Sequence, residues 1–152
     1  MTLKECLTFA RKREPLPIED DTFWVYDEAY IKAKALLNGL QSYFELDVYN
    51  LLFCNAFLHY FITTKFNATI QITNPDGSTS TIEVSNTLYD KYKIDTKQFI
   101  VSSASDGSSS SSLHTTESMS KGGFAMQELI KTPYGEYVYS ILENIVPSVV
   151  LL

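Results

Sequence analysis

The stretch LDVYNLLFCNAFLHYFITTKF, residues 46–66, is the most apolar part of this 152-residue chain. Its apolar residues recur at helical spacing on two faces, which predicts an α-helix that is apolar nearly all round. Such a helix belongs in the centre of a bundle or against a partner subunit. A membrane span would need roughly 20 mostly apolar residues, whereas Asp47, His59 and Lys65 interrupt this stretch. We therefore expect it to be the buried central helix of the fold.

The residues before this stretch predict a short N-terminal unit over 1–17. Thr2-Leu3-Lys4-Glu5 matches the S/T-x-x-E capping box and starts an amphipathic helix. Pro15 and Pro17 then impose an extended link. The basic run Arg11-Lys12-Arg13 suits the negative end of the helix dipole, with docking of a partner as the alternative.

Residues 27–66 are expected to contain the core helices. Apolar spacing predicts a helix of about three turns from Asp27, and Asn38-Gly39 offers it a left-handed stop. Ser42-Tyr43-Phe44-Glu45 matches a second capping box, which would start the long central helix.

The hydrophobic period changes to two after the central helix. In ATIQITNPDGSTSTIEV, residues 68–84, apolar residues alternate on both sides of Pro75-Asp76-Gly77. This pattern predicts a β-hairpin with a loop of about five residues. One helical turn containing Leu88, Tyr89 and Tyr92 can follow it.

The serine-rich stretch FIVSSASDGSSSSSLHTT, residues 99–116, allows two interpretations. A solvated linker is one, because serine buries little apolar surface. Asp106-Gly107 favours the other, a second hairpin with a two-residue turn. Pairing around that turn would place Val101 opposite Ser112 and Ile100 opposite Leu113.

The C-terminal part predicts helices over 122–146 and an apolar tail over 147–152. Thr132 is the expected N-cap of the last helix, with Pro133 at its first position, and Pro147 is expected to end it. The tail would pack on its own domain or add a strand to a neighbour. In sum, residues 1–152 predict a single α+β domain, mainly α: a small helical bundle with two projecting β-hairpins.

Charge and cysteine content narrow the classes of function. The formal net charge is −6, with 12 basic and 18 acidic residues, so binding to a phosphate backbone is disfavoured. Cys6 and Cys54 both fall in predicted helix interiors, which indicates small core residues and a reducing compartment rather than a disulfide framework. The opening residues mix charged and apolar side chains and do not predict a secretory leader, so synthesis in the cytoplasm is expected.

The sequence offers few groups for catalysis. Of its two histidines, His59 is expected to be a hydrogen-bonded core residue, and His114 lies among hydroxyl residues without a G-x-S-x-G elbow. The cysteines and histidines give no ligand pair at metal-site spacing, and no phosphate-binding loop occurs. We predict no catalytic residue, no metal ligand and no cofactor, and therefore a protein that is not an enzyme.

The order of these parts resembles the head-to-tail connector proteins of tailed bacteriophages, the adaptor or head-completion proteins beneath the portal. The similarity covers roughly residues 27–150, and the 68–84 hairpin and the 88–94 segment are an insertion relative to the family pattern. It rests on the motifs V-S-S-x-S-x-G-S-x-S and T-P-Y-G-x-Y. The residues that carry these motifs are Ser102, Ser103, Ser105, Gly107 and Ser109 in the first, and Thr132, Tyr134, Gly135 and Tyr137 in the second.

The resemblance implies a structural virion protein in the phage neck, made in the host cytoplasm and without membrane contact. Copies would form a homo-oligomeric ring, commonly twelvefold, that joins the portal protein to the tail or tail-terminator protein. DNA would pass through the ring without specific binding. The expected subunit and partner contacts are Ile100, Val101, Ser103, Ser105, Gly107, Leu113, Val149, Val150 and Leu151. Thr132, Tyr134, Gly135 and Tyr137 are expected to seat the last helix.

Two alternatives to the connector hypothesis remain. One is a tail terminator or another virion ring protein. The other is a small cytoplasmic binding module, or a hydrolase that uses His114.

Overall fold

The computed structural model describes residues 1–96 and 124–150, with side-chain environments over 1–96 and 127–145. Within these ranges the fold is α+β and mainly α, as predicted, with six α-helices and one antiparallel two-stranded hairpin. The hairpin predicted over 99–116 lies outside the described residues. None of the helices in the described part of the chain has the length and apolarity that crossing a membrane requires.

The described residues contain six α-helices, two strands and two 3-10 turns. The helices are α1 (Leu3–Arg11), α2 (Trp24–Leu36), α3 (Leu46–Ile62), α4 (Thr87–Lys91), α5 (Phe124–Leu129) and α6 (Pro133–Val150). The strands are β1 (Asn67–Thr73) and β2 (Thr79–Ser85), and short 3-10 turns occupy Gln41–Tyr43 and Ile94–Thr96. Helix α3 packs against α1, α2 and α6, so these four helices form the bundle.

Helix α3 is the buried centre that its sequence predicted. From residue 52 to 62 every side chain except Tyr60 is buried. Complete burial of each large apolar side chain, such as Phe57, contributes roughly 1.5–3 kcal/mol. The first turn of the helix is different, because Leu46 is 71% exposed.

The N-terminal capping box is confirmed. The Thr2 hydroxyl accepts from the Glu5 N–H at 3.3 Å, and the Glu5 carboxylate accepts from the Thr2 N–H at 2.6 Å. The basic end of α1 contributes to the fold itself, since Arg11 pairs with Asp21 at 2.7 Å. The Arg13 guanidinium lies 3.6 Å from the centre of the Phe9 ring.

Helix α2 begins at Trp24, three residues before the predicted start at Asp27. The Asp20 carboxylate accepts from the Thr22 N–H at 2.9 Å, and Phe23 N–H bonds to the Asp20 carbonyl. This turn leads directly into the helix, which therefore begins earlier than the spacing of its apolar residues indicated. The predicted stop is confirmed, because the helix ends at Leu36 and Gly39 has a φ of +80°.

The second predicted capping box is wrong. Gln41–Tyr43 forms a 3-10 turn, and α3 begins only at Leu46, with Glu45 as an N-cap that makes no side-chain bond. The reason is that the backbone N–H groups of Tyr43 and Phe44 are already bonded to the carbonyls of Leu40 and Gln41. These bonds close the 3-10 turn before a helix can start.

The hairpin predicted over 68–84 is confirmed, with its strands one residue longer at each end. Ile70 pairs with Ile82 across the two strands, and residues 74–78 form the five-residue loop. Gly77 takes a positive φ of +86° in this loop, a conformation that a side chain disfavours. The helical turn expected after the hairpin is α4, which the Asn86 side chain caps at the Tyr89 N–H.

The predicted end of the last helix is wrong. Helix α6 continues through Pro147 to Val150, so the boundaries 122–146 and 147–152 do not hold. Proline's fixed φ is close to that of a helix, so a proline residue lowers the stability of a helix but does not by itself exclude one. Val149 and Val150 are therefore helical residues, and Leu151 lies outside the described residues.

Candidate functional site

The start of α6 carries the T-P-Y-G motif, and Thr132 connects it to the central helix. The Thr132 hydroxyl oxygen accepts from the Gly135 N–H at 3.0 Å, which confirms the predicted N-cap. The same oxygen lies 2.8 Å from Nδ1 of His59, and both side chains are buried. A hydroxyl has one proton to donate and two lone pairs, so the Thr132 hydroxyl can bond to Gly135 N–H and to Nδ1 of His59 at the same time. The predicted core histidine and the predicted N-cap thus form one contact.

Gly135 lets α6 approach the bundle closely. A Cβ atom at this position would lie 2.0 Å from the Leu129 carbonyl oxygen and 2.5 Å from His59 Nδ1. Both distances are far below van der Waals contact, so only glycine fits without movement of the backbone. The glycine of the motif therefore has a packing role, not a turn role.

Tyr134 connects the motif to a buried carboxylate. Its hydroxyl donates to Oε1 of Glu14 at 2.8 Å, and the Tyr92 hydroxyl donates to the same oxygen. Nζ of Lys91 donates to the other oxygen, Oε2, at 2.8 Å. We call these four residues the Glu14 cluster: Glu14, Lys91, Tyr92 and Tyr134. The cluster joins the N-terminal link, α4 and the first turn of α6.

The Glu14 cluster fixes the protonation state of its members. Burial by itself would raise the pKa of Glu14, but the bonds from Lys91, Tyr92 and Tyr134 outweigh it and hold the pKa below its usual value. Burial and the bond to the carboxylate raise the pKa of both tyrosines. The carboxylate stays ionised and the hydroxyls stay protonated. Each tyrosine therefore keeps the proton that it donates, and Glu14 keeps the charged oxygens that accept it. Sequence reasoning missed Glu14, because no local pattern shows which residues a single glutamate will meet.

Tyr137 completes the motif as a half-buried aromatic residue packed against the core. All four motif residues that were predicted to seat the last helix thus lie at its contacts with the rest of the bundle. Val138, the next residue, and Leu142, about one turn beyond it, are buried and continue that contact.

A cleft of about 470 Å³ lies beside His59. Its walls come from α2, α3, α4, the Ile94–Thr96 turn and the α5–α6 region. They are formed by Lys32, His59, Tyr60, Thr63, Tyr89, Ile94, Asp95, Glu128 and Lys131. Its size is that of a small-molecule site.

The charged groups of this cleft are already paired within the chain. Lys32 pairs with Glu28 at 3.0 Å, and Lys131 pairs with Glu128 at 3.1 Å. Asp95 accepts from the Tyr89 hydroxyl at 2.5 Å. Over the described ranges, no group of three or more His, Cys, Asp or Glu side chains is placed to hold a metal ion. The cleft therefore gives no indication of a particular ligand.

Apolar side chains are exposed on three separate elements. On the hairpin, Ile72 and Ile82 are each 39% exposed. On α2, Trp24 is 58% and Ile31 is 63% exposed, and their spacing of seven residues places them on one face. The third group lies where α3 begins and consists of Tyr43, Leu46, Val48 and Leu51. Contiguous apolar patches are typical of surfaces that contact other proteins, whereas single exposed apolar residues are common on any protein.

Most of the predicted contact residues cannot be placed. Ile100, Val101, Ser103, Ser105, Gly107, Leu113 and Leu151 lie outside the described residues, as does His114. Val149 and Val150 lie in the last turn of α6. The exposed groups on α2 and at the start of α3 were not predicted, although Leu46 and Leu51 stand beside charged or polar residues in the sequence.

Comparisons with protein-family models, with curated proteins and with solved structures found no match for this chain. The likeness to head-to-tail connectors therefore depends on the sequence motifs.

Proposed function

We propose that this chain is a structural subunit of a ring in the neck of a tailed bacteriophage. The ring joins the portal to the tail or to the tail-terminator protein and surrounds the DNA channel. The observation that carries the proposal is the apolar surface that a single copy leaves uncovered on its hairpin and its helices, because such surface is stabilised when another protein covers it.

The hairpin gives the strongest support. Its register places Ala68, Ile70, Ile72, Ile82 and Val84 on one face. The base of this face packs against the core, while Ile72 and Ile82 remain 39% exposed. A two-stranded hairpin is marginally stable in water, so contact with a neighbouring protein would stabilise its outer half.

The distribution of exposed groups also suits a ring. A closed ring needs head-to-tail contacts, in which a surface of one subunit meets a different surface of the next. The exposed pair on α2, Trp24 and Ile31, lies on a different element from the exposed pair on the hairpin. One chain therefore offers two different apolar surfaces, as a head-to-tail contact requires.

The T-P-Y-G motif supports a structural role. Thr132, Tyr134 and Gly135 each make contacts that hold α6 in the bundle. These contacts explain the motif without a substrate. The net charge of −6 agrees with this role, because a channel protein that neutralises few phosphates lets DNA pass.

Native mass measurement of the purified protein, alone and mixed with purified portal, tests the proposal. We expect the protein to join the portal in a complex with a cyclic number of copies, commonly twelve, even where it is a monomer alone. A sixfold ring that forms without portal contact would favour a tail terminator. A protein that binds neither itself nor the portal would contradict the proposal.

A further inference from the structure

The β1–β2 hairpin has two outer edges, on which backbone groups face away from the paired strand. At one end of the hairpin the Asn74 N–H bonds to the Ser78 carbonyl at 2.7 Å, and at the other end the Asn86 N–H bonds to the Phe66 carbonyl at 3.3 Å. Bonded and non-bonded pairs alternate in an antiparallel ladder, so the even-numbered residues between these two pairs bond to each other across the hairpin. The backbone groups of the odd-numbered residues therefore point outward.

These outward groups form a row along each edge. They include those of Thr69, Gln71 and Thr73 on β1, and of Thr79, Thr81 and Glu83 on β2. The side chains of these residues are all exposed. Within the described part of the chain no hydrogen bond uses their outward backbone groups. Each edge therefore offers N–H donors and carbonyl acceptors to a strand from another chain.

The two edges lack the features that usually keep edge strands from pairing. Lysine, proline and β-bulges commonly protect such edges in natural proteins. Here β1 and β2 contain neither lysine nor proline, and their register is unbroken from end to end. Glu83 is the one charged residue in the two strands. An unprotected edge of this kind favours the addition of another strand.

We propose that the β1 edge of one copy pairs with the β2 edge of the next copy, so that neighbouring hairpins form one continuous antiparallel sheet. This pairing rests on the proposed function and names the surface through which its copies join. Because β1 and β2 run in opposite directions, copies that stand side by side in the same orientation meet as antiparallel strands. In a closed ring the pairing uses both edges of every copy, whereas pairing of two like edges leaves one edge of each copy open.

The apolar side chains agree with this pairing. Whenever the outward, odd-numbered residues of two strands stand opposite each other, the even-numbered residues do so as well, because side chains alternate between the faces of a sheet. Ile70 and Ile72 of one copy then lie on the same face as Ile82 of the next. Ile72 and Ile82, each 39% exposed in a single copy, would thereby gain apolar neighbours.

The charges near the base of the hairpin distinguish the two edges. Lys65 stands two residues before β1, and its side chain is 69% exposed, with Asp95 at 3.5 Å. Glu83 is exposed near the end of β2. Pairing of β1 with β2 brings edges of opposite sign together, whereas pairing of like edges joins edges of the same sign.

Proline at an outward position tests the pairing without breaking the hairpin itself. Gln71→Pro removes an outward N–H from β1, and Thr81→Pro removes one from β2, while the bonds between β1 and β2 remain. The matched controls Gln71→Thr and Thr81→Val keep the N–H, and circular dichroism verifies that each full-length variant folds. In native mass measurements with purified portal, we expect each proline variant to lose about tenfold or more in ring assembly and the controls to assemble like the wild type. Assembly of both proline variants at the wild-type level would overturn the inference.

A mixture of the two proline variants identifies the edges that pair. Gln71→Pro keeps an intact β2 edge and Thr81→Pro keeps an intact β1 edge, so together they should form pairs containing one copy of each but no closed ring. Loss of assembly for only one of the two variants would show that like edges pair and would also overturn the inference.

Amide exchange on the wild-type protein separates this inference from the proposed function and needs no variant. In the complex with portal, the outward N–H groups of Gln71 and Thr81 should exchange about tenfold or more slowly than in the monomer, whereas those of Ile70 and Ile82, already bonded within the hairpin, should change less. A ring on the portal in which Gln71 and Thr81 exchange as in the monomer would support the neck role and overturn the edge pairing. Copies that join through their hairpins without binding portal would support the edge pairing and contradict the neck role. A protein that stays monomeric both alone and with portal would contradict both.

Discussion

Replacement of Gly135 by alanine is the sharpest test of how α6 is seated. The new Cβ would lie 2.0 Å from the Leu129 carbonyl oxygen and 2.5 Å from His59 Nδ1. Because the closer contact is with a backbone atom, no side-chain rotation relieves it, and α5 or α6 must move. The perturbation therefore acts on the contacts of α6 with α5 and α3 rather than on the conformation of residue 135.

The expected size follows from two opposing effects. Overpacking a dense site costs about 1–3 kcal/mol, and alanine regains roughly 0.5–1 kcal/mol over glycine within a helix. Because the 2.0 Å contact is with a backbone atom, the overpacking cost should fall in the upper part of that range. We therefore expect Gly135→Ala to lower the free energy of unfolding by about 2 kcal/mol and the Tm by about 4–8 °C.

Urea unfolding followed by circular dichroism measures this change, with Ser140→Ala as the control. Ser140 is exposed on the same helix, so its replacement should change stability by less than about 0.5 kcal/mol. A double-mutant cycle with His59→Ala should show coupling between the two positions, because removing the imidazole relieves one of the two close contacts. If Gly135→Ala is as stable as the wild type, the packing argument is refuted.

Three further predictions address the cluster, the cap and the hairpin. Glu14→Gln should cost about 1–3 kcal/mol at neutral pH, with exposed Glu136→Gln as the control. Since the pKa of Glu14 is lowered in the folded state, this contribution is present above the ordinary value of 4.5 and is lost as the pH falls below it. Unfolding curves over that pH range should therefore converge for the wild type and Glu14→Gln, and curves that stay parallel would contradict this. Thr132→Val should cost about 1–3 kcal/mol by removing the cap and the bond to His59, and an unchanged urea midpoint would count against it. Ile72→Asp should weaken portal binding about tenfold or more, whereas Gln71→Asp on the opposite face should change it less than about twofold. Equal effects of the two variants in a binding titration would exclude the hairpin's apolar face from the contact.

Sequence reasoning succeeded where the deciding interactions lie within a few residues. The Thr2–Glu5 capping box, the Thr132 cap and the turn at Gly77 all formed as predicted, because each depends on local hydrogen bonds and backbone angles. The predicted centre of the bundle was also right, since a stretch that is apolar on every face has to be buried on every face.

The failures occurred where two local preferences compete. Residues 42–45 match a capping box, but the backbone N–H groups of Tyr43 and Phe44 bond to the carbonyls of Leu40 and Gln41, so the chain forms a 3-10 turn there and α3 starts only after it. Pro147 is a common helix terminator, yet its backbone angle also fits a helix, and α6 passes through it. The sequence contains both options at each place and does not show which has the lower free energy.

The sequence by itself determined the class of the fold, the central helix and the first hairpin, because hydrophobic period and turn chemistry act locally. Only the tertiary structure decided that Glu14 meets Tyr92 and Tyr134 and that His59 meets Thr132. The two members of each of these pairs lie between 73 and 120 positions apart in the sequence. The physical reason is that side-chain chemistry shows which kind of partner a buried polar group needs, while the packing of the helices determines which residue supplies it.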